Sequence, residues 1–236
     1  MKFNLFSALI VLAFFACSSD STDNPNIHGA VDIDSQLYVG VTKQLLEQCD
    51  GSDAQEACVL DYINNHTVPY TGSGVLKEVT CNYSSEHDRE ICTIINSVNI
   101  GTVTNGKIEL ELSSPKEEHL DESGMYMLHL MLYDNAGEPI GRPMLGNIKS
   151  TNEDTYAWYV YCLKDEEYKD ADEVPDSYGV IRIHDYEWKE GWNIYYYHNK
   201  YESIGGQKIY TITKTTSPKV LNGGELRWYL FDPDIH

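Results

Sequence analysis

Positive charge is scarce in this 236-residue chain: 17 Lys and Arg stand against 37 Asp and Glu, for a formal net charge of −20. No basic stripe exists to neutralise phosphates and release their counterions, which argues against nucleic acid as a partner. An anionic membrane surface is equally unattractive to such a chain. Long apolar runs are missing too. Leu5–Ala16 spans twelve residues, short of the about 20 needed to cross a ~30 Å hydrocarbon core, so it reads as a signal-type segment and not as an anchor helix. The eight histidines are scattered without HExxH or His/Cys zinc spacing, and Gly72-Ser73-Gly74 lacks the flanks of a nucleophile elbow. No repeat recurs at a fixed period. A glycosidase carboxylate pair leaves no spacing signature, so a secreted hydrolase stays open as an alternative.

Lys2 precedes the apolar run, and Phe14-Phe15-Ala16-Cys17 ends it, followed by the polar Ser18-Ser19-Asp20-Ser21. This resembles a bacterial lipoprotein signal. The resemblance implies cleavage before Cys17, lipidation there, and a location on the bacterial cell envelope, at the outer membrane. The membrane partner is then reached through covalent lipid. Two or three acyl chains anchor stably, each buried methylene contributing ~0.8 kcal/mol. Residues 1–16 are then a signal peptide, 17–30 a flexible lipidated tether poor in apolar residues, 31–66 a stapled segment and 67–236 a β domain.

Five further cysteines remain: Cys49, Cys58, Cys81, Cys92 and Cys162. Export permits disulfides, and proximity suggests Cys49 with Cys58 and Cys81 with Cys92, each loop worth roughly 2.5 to 3 kcal/mol in the chain-entropy model. Cys162, in an aromatic-rich strand, reads as a buried structural thiol. Around Cys49 and Cys58, Leu45-Leu46 and Ala54, Ala57 suggest short helices, with Ser52 and Gln55 in capping-box spacing.

From Val68 onward the pattern is β. Val75–Cys81 and Ile91–Ser97 read as strands joined by a polar loop, 82–90. Val98–Thr104, Asn105-Gly106 and Lys107–Leu112 form the clearest hairpin: Asn-Gly suits a type I′ turn, and Ile108, Leu110, Leu112 alternate with Lys107, Glu109, Glu111. Pairing Thr104 with Lys107 sets Val103 opposite Ile108 and Gly101 opposite Leu110. Met125–Tyr133 is nearly all apolar and reads as a strand covered on both sides. Pro139–Ile148 carries two prolines that suit an edge. Thr155–Leu163, Gly179–His184, Trp192–His198, Lys208–Lys214 and Glu225–Phe231 complete an all-β, antiparallel, sandwich-like or barrel-like domain.

Two constellations carry candidate chemistry. Trp188, Trp192, Asn193, Tyr195, Tyr197 and His198 form the densest aromatic patch; alternation puts Trp192, Ile194 and Tyr196 on one face and Asn193, Tyr195 and Tyr197 on the other. Rings beside an amide suit sugars, which makes a glycan or small ligand one partner class. Aromatics are also simply good strand formers. A Gly191-Trp192-Asn193 step with a later Trp228-Tyr229 resembles uncharacterised bacterial surface lipoproteins, a resemblance that implies no activity. The second constellation is Lys164–Asp176, whose acids, Asp165, Glu166, Asp170 and Asp172 among them, offer hard oxygen ligands to Ca²⁺ but lack EF-hand spacing and read as a solvated loop. His184-Asp185 are strand neighbours pointing to opposite faces, so they make no catalytic pair. The expectation is a non-enzymatic envelope lipoprotein, contacting envelope proteins or glycans, with no obligatory cofactor.

Overall fold

The computed structural model describes residues 27–31, 33–40, 45, 49, 58, 61, 68–84, 89–150 and 152–232, without the side chains of 81–84, 89–93, 95–98, 149, 150 and 204. The signal segment, Cys17 and the Ser52/Gln55 box lie outside them. Thirteen strands follow in chain order: β1 (Leu37–Val39), β2 (Gly74–Ser84), β3 (Arg89–Thr104), β4 (Lys107–Leu110), β5 (Met125–Met127), β6 (Leu130–Tyr133), β7 (Pro139–Ser150), β8 (Glu153–Cys162), β9 (Glu166–Ala171), β10 (Val180–Trp188), β11 (Gly191–Ile204), β12 (Gln207–Thr215) and β13 (Arg227–Phe231). They join in one mixed sheet of order β4-β3-β2-β6-β7-β8-β11-β12-β10-β9, with β13 on β7, β1 on β13 and β5 on β8. The sheet does not close into a barrel. Two pairs, β1 with β13 and β10 with β12, are parallel.

The sheet has two arms because β7 changes partners along its length. Its end pairs with β8 from Leu145 onward, whereas its start pairs with β6 at Pro139 and Gly141. The expected single strand Met125–Tyr133 is broken at Leu128-His129 for the same reason: β5 pairs with β8, then β6 passes to β7 and β2. β6 is fully buried, with Leu130 and Leu132 in the main core and Met131 and Tyr133 against Val79 on its other side. That is the two-sided covering its sequence predicts. The main core lies between the arms, Leu76, Val103, Ile108 and Leu132 from one meeting Leu145, Tyr159, Ile194, Tyr196 and Trp228 from the other.

β7 is interior and not the expected edge. Pro139 opens the strand and Pro143 lies opposite Leu230 of β13, while β8 pairing begins only at Leu145. Neither proline therefore faces a β8 residue, and the missing N–H groups are tolerated. The acidic stretch 164–176 is likewise not a loop throughout: Glu166–Ala171 forms β9, an edge strand exposed along its whole length. Its dense charge is compatible with an edge that must resist pairing with other chains. The expected polar loop 82–90 shortens, since β2 runs to Ser84 and β3 starts at Arg89, with Cys81 set opposite Cys92. Their side chains lie outside the described residues.

The Asn-Gly hairpin has the expected register, Thr104 to Lys107, Val103 to Ile108 and Gly101 to Leu110, and Asn105 and Gly106 take positive φ of 49° and 78°. Cys49 and Cys58 are bonded, and Leu45, Cys49, Cys58 and Asp61 have helical backbone. Cys162 is buried and free. Burial, then the nearby Glu166 and Asp121 carboxylates, push its thiol up to about 12, which disfavours the reactive thiolate. Part of the expected tether is docked: the His28 backbone N–H donates to the Trp192 carbonyl at 3.0 Å and the His28 carbonyl accepts from Ile194 N–H at 2.9 Å, and Tyr196 donates its phenolic hydrogen to the Gly29 carbonyl at 2.7 Å.

Candidate functional site

The aromatic patch of the sequence divides between the two faces of β11. Trp192, Ile194 and Tyr196 enter the main core, with Trp192 4% exposed. Asn193 is buried without being a ligand group. Its Oδ1 accepts from Lys189 N–H at 2.9 Å, and its Nδ2 donates to the carbonyls of Lys189 at 2.8 Å and Gly191 at 3.0 Å. It braces the turn between β10 and β11. His198 contacts Thr155 Oγ1 through Nδ1 at 2.9 Å. Thr155 is 1% exposed, so that ring is also held inward.

Tyr195 and Tyr197 point to the outer face, and there they join, besides Trp188, rings that local sequence reasoning did not group with them. Cross-strand register sets Tyr195 opposite Trp158 and Tyr197 opposite Tyr156. Trp158 contacts Tyr156, Tyr195 and Tyr197 with centroids 5.8 to 6.3 Å apart. Tyr195 meets Tyr186 and Trp188, both at 6.0 Å. Tyr186 lies near-parallel to Trp188 (17°) and to Tyr168 (22°), and His184 abuts both tyrosines. Rings therefore run unbroken from Tyr156 on β8, across β11 and β10, to Tyr168 on β9. Such pairs contribute about 0.5 to 1.5 kcal/mol beyond area burial. Trp188 is buried under them, closing a small cluster with Val160 and Cys162.

The row holds because β12 stops short. β10 and β11 are joined by a tight turn yet do not pair; β12 lies between them, parallel to β10 and antiparallel to β11, and its ladder ends at Thr215. Thr216 then accepts from Glu187 N–H through Oγ1 at 2.8 Å. Beyond that point the β10 rings Tyr186 and Trp188 reach Tyr195 directly. Burial raises the pKa of Tyr186, against a hydrogen bond with Tyr195 that lowers it, and burial followed by the neighbouring phenols raises that of Tyr195, so both are neutral hydroxyls at pH 7. His184 offers Nδ1 to the Tyr186 hydroxyl at 3.1 Å.

The same face continues into a groove. Asn199 and Tyr201 follow Tyr197 at two-residue steps on β11, opposite Asp154, Ile212 and Tyr210. A depression of about 610 Å³ is lined there by Asp154, Tyr178, Asn199, Tyr201, Lys208 and Tyr210, among others. Asn199 donates from Nδ2 to Asp154 at 2.8 Å, but its buried Oδ1 has no hydrogen-bond donor among the described residues. Tyr178 is 88% exposed at the rim, and Lys208 stands 5.8 Å from the Tyr201 ring centre. The arrangement offers rings, an amide acceptor, a carboxylate and an ammonium along one side of the sheet.

The candidate Ca²⁺ ligands do not converge. Asp165 accepts from Glu190 N–H at 2.8 Å and pairs with Lys189 at 3.4 Å; Glu166 pairs with Lys164; Asp172 pairs with Arg182; Asp170 accepts from the Tyr168 hydroxyl. Among the described residues no group of three His, Cys, Asp or Glu side chains is placed to hold a metal ion. No protein-family model, no curated protein and no solved structure matches the chain.

Proposed function

We propose that this chain is a non-enzymatic carbohydrate-binding module, held on the bacterial envelope by lipid at Cys17 and binding glycan along the outer face of β8, β11, β12 and β10. The observation that carries the reading is the continuity of the ring row with the groove that ends at Asn199 and Tyr201. Rings provide rigid apolar area at low entropic cost. Asn199 Oδ1 is an acceptor that no described residue matches, and leaving such a group buried costs about 1 to 3 kcal/mol. A ligand hydroxyl donating to it recovers that cost. A sugar fits both demands.

The test is a screen of the mature chain against a glycan array, with the membrane fraction of expressing cells assayed in parallel. Saturable binding to a glycan class, together with loss of membrane partitioning in Cys17→Ala, is the expected result. Silence across the array points instead to protein contacts in envelope assembly, and unchanged partitioning of Cys17→Ala removes the lipid anchor.

A further inference from the structure

Charge is unevenly distributed on the outer face. Lys208, Tyr210, Ile212 and Lys214 alternate onto it from β12: Lys208 and Tyr210 line the groove, Ile212 lies opposite Asn199, and Lys214 lies opposite Tyr197. The Lys208 ammonium stands 5.8 Å from the Tyr201 ring centre and the Lys214 ammonium 5.6 Å from that of Tyr197. Lys208 is exposed and Lys214 half-buried. A ring face offsets part of an ammonium's desolvation but leaves its charge in place.

Among the described residues neither lysine has a carboxylate partner, whereas the cations of the neighbouring strands are paired. Lys169 of β9 meets Glu167 and Asp185, Arg182 of β10 meets Asp172 and Asp176, and Lys200 of β11 meets Glu202. In a chain with 37 acidic residues against 17 basic ones, carboxylates are plentiful. Two cations left open, both over rings and both on the face that carries the ring row and the groove, match a ligand that brings its own negative charge.

We propose that the ligand of the outer face is an acidic polysaccharide, its sugar carboxylates pairing with Lys208 and Lys214 while its rings lie along Tyr197, Tyr201 and Tyr210, an assignment that rests on the glycan reading of that face. The two lysines are six residues apart on one strand, about 20 Å, a span that takes an oligomer and no single sugar. Glu153 and Asp154, the acidic residues lining the groove, belong to β8, which lies across β11 from β12. Two strand spacings make about 10 Å. Exposed charges further apart than a Debye length, about 8 Å at physiological ionic strength, are largely screened from one another. The local lysines therefore outweigh the net charge of −20 for a carboxylate seated on β12.

Calorimetric titration of the mature chain compares oligomers of galacturonate and of mannuronate with their carboxyl-reduced forms, which keep the backbone and lose the charge. At least one acidic oligomer is expected to bind at least about tenfold more tightly than its reduced form. Lys208→Gln and Lys214→Gln are each expected to weaken that binding by about two- to fivefold, the loss of an exposed ion pair, and the double variant by about tenfold. Lys200→Gln changes the net charge equally but removes a cation paired on the opposite face, and is expected to leave the affinity unchanged. Equal affinity for acidic and reduced oligomers overturns the proposal while the glycan reading stands. A loss in Lys200→Gln as large as in Lys208→Gln overturns it as well, since bulk charge then suffices. Absence of binding to both acidic oligomers also overturns it, and failure of the glycan reading itself is distinguished by silence of the reduced forms and of the whole array.

Discussion

Asn193 and Lys189 are joined twice: the Asn193 amide accepts the Lys189 N–H and donates to the Lys189 carbonyl. The same amide also reaches the Gly191 carbonyl, so one buried side chain satisfies three backbone groups of the turn that sets β10 against β11. Asn193→Ala is expected to destabilise the domain by about 2 to 4 kcal/mol, several neutral hydrogen bonds being lost together with the satisfaction of buried groups. Urea unfolding checks this, as a lowered midpoint at unchanged slope. A shift below about 0.5 kcal/mol means the turn is held by something else.

Burial dominates the ionisation of the core tyrosines. It pushes Tyr159 up to about 12 and raises Tyr126, Tyr195 and Tyr196 further, with the Glu78 carboxylate adding to the effect at Tyr126. An unfolded tyrosine releases its proton near pH 10. Above that pH the unfolded chain binds fewer protons than the folded one, so stability falls as pH rises; below it the contribution is fully present. Unfolding free energy is expected to show no tyrosine-linked change below about pH 9 and to fall above pH 10, by up to about 1.4 kcal/mol per pH unit for each such group. Tyr126→Phe is expected to shallow the decline. Stability unchanged between pH 9 and 11 contradicts the burial of these phenols.

Gly101 packs against the backbone of its hairpin partner, and a Cβ at that position collides with the Glu109 carbonyl oxygen. Gly101→Val is expected to cost about 1 to 3 kcal/mol by forcing the strands apart, and thermal unfolding reads it as a lowered Tm. The wild-type Tm in the variant means the hairpin end adjusts freely.

That hairpin was legible in the sequence because its information is local: Asn105-Gly106 sets the turn, and alternation of Ile108, Leu110 and Leu112 sets the face. The division of β11 was legible for the same reason, period-two alternation separating Trp192 and Tyr196 from Tyr195 and Tyr197. Nearness in sequence also fixed the Cys49–Cys58 bond. What the sequence hid is non-local. Tyr156 and Trp158 share parity on β8, as His184, Tyr186 and Trp188 do on β10, so each half of the ring row was readable as a stripe. The stripes meet only because β12, inserted between β10 and β11, ends its ladder at Thr215 and leaves Tyr186 and Trp188 in reach of Tyr195, and no local pattern announces a parallel insertion or where it stops. β7 misled because its prolines mark an edge unless a strand changes partners midway. β9 misled because charge density marks solvent exposure, which an edge strand shares with a loop.

The central claim is that ligand binds the outer face, and affinity electrophoresis through gels containing a glycan identified on the array tests it most directly. Trp158→Ala removes a ring that touches three others, and Asn199→Ala removes the unmatched acceptor of the groove. Each is expected to weaken retardation by at least about tenfold, in line with 1 to 3 kcal/mol for an aromatic or polar contact at a binding hot spot. Trp158→Ala and Asn199→Ala proteins that stay folded and are retarded as strongly as the wild type contradict the account.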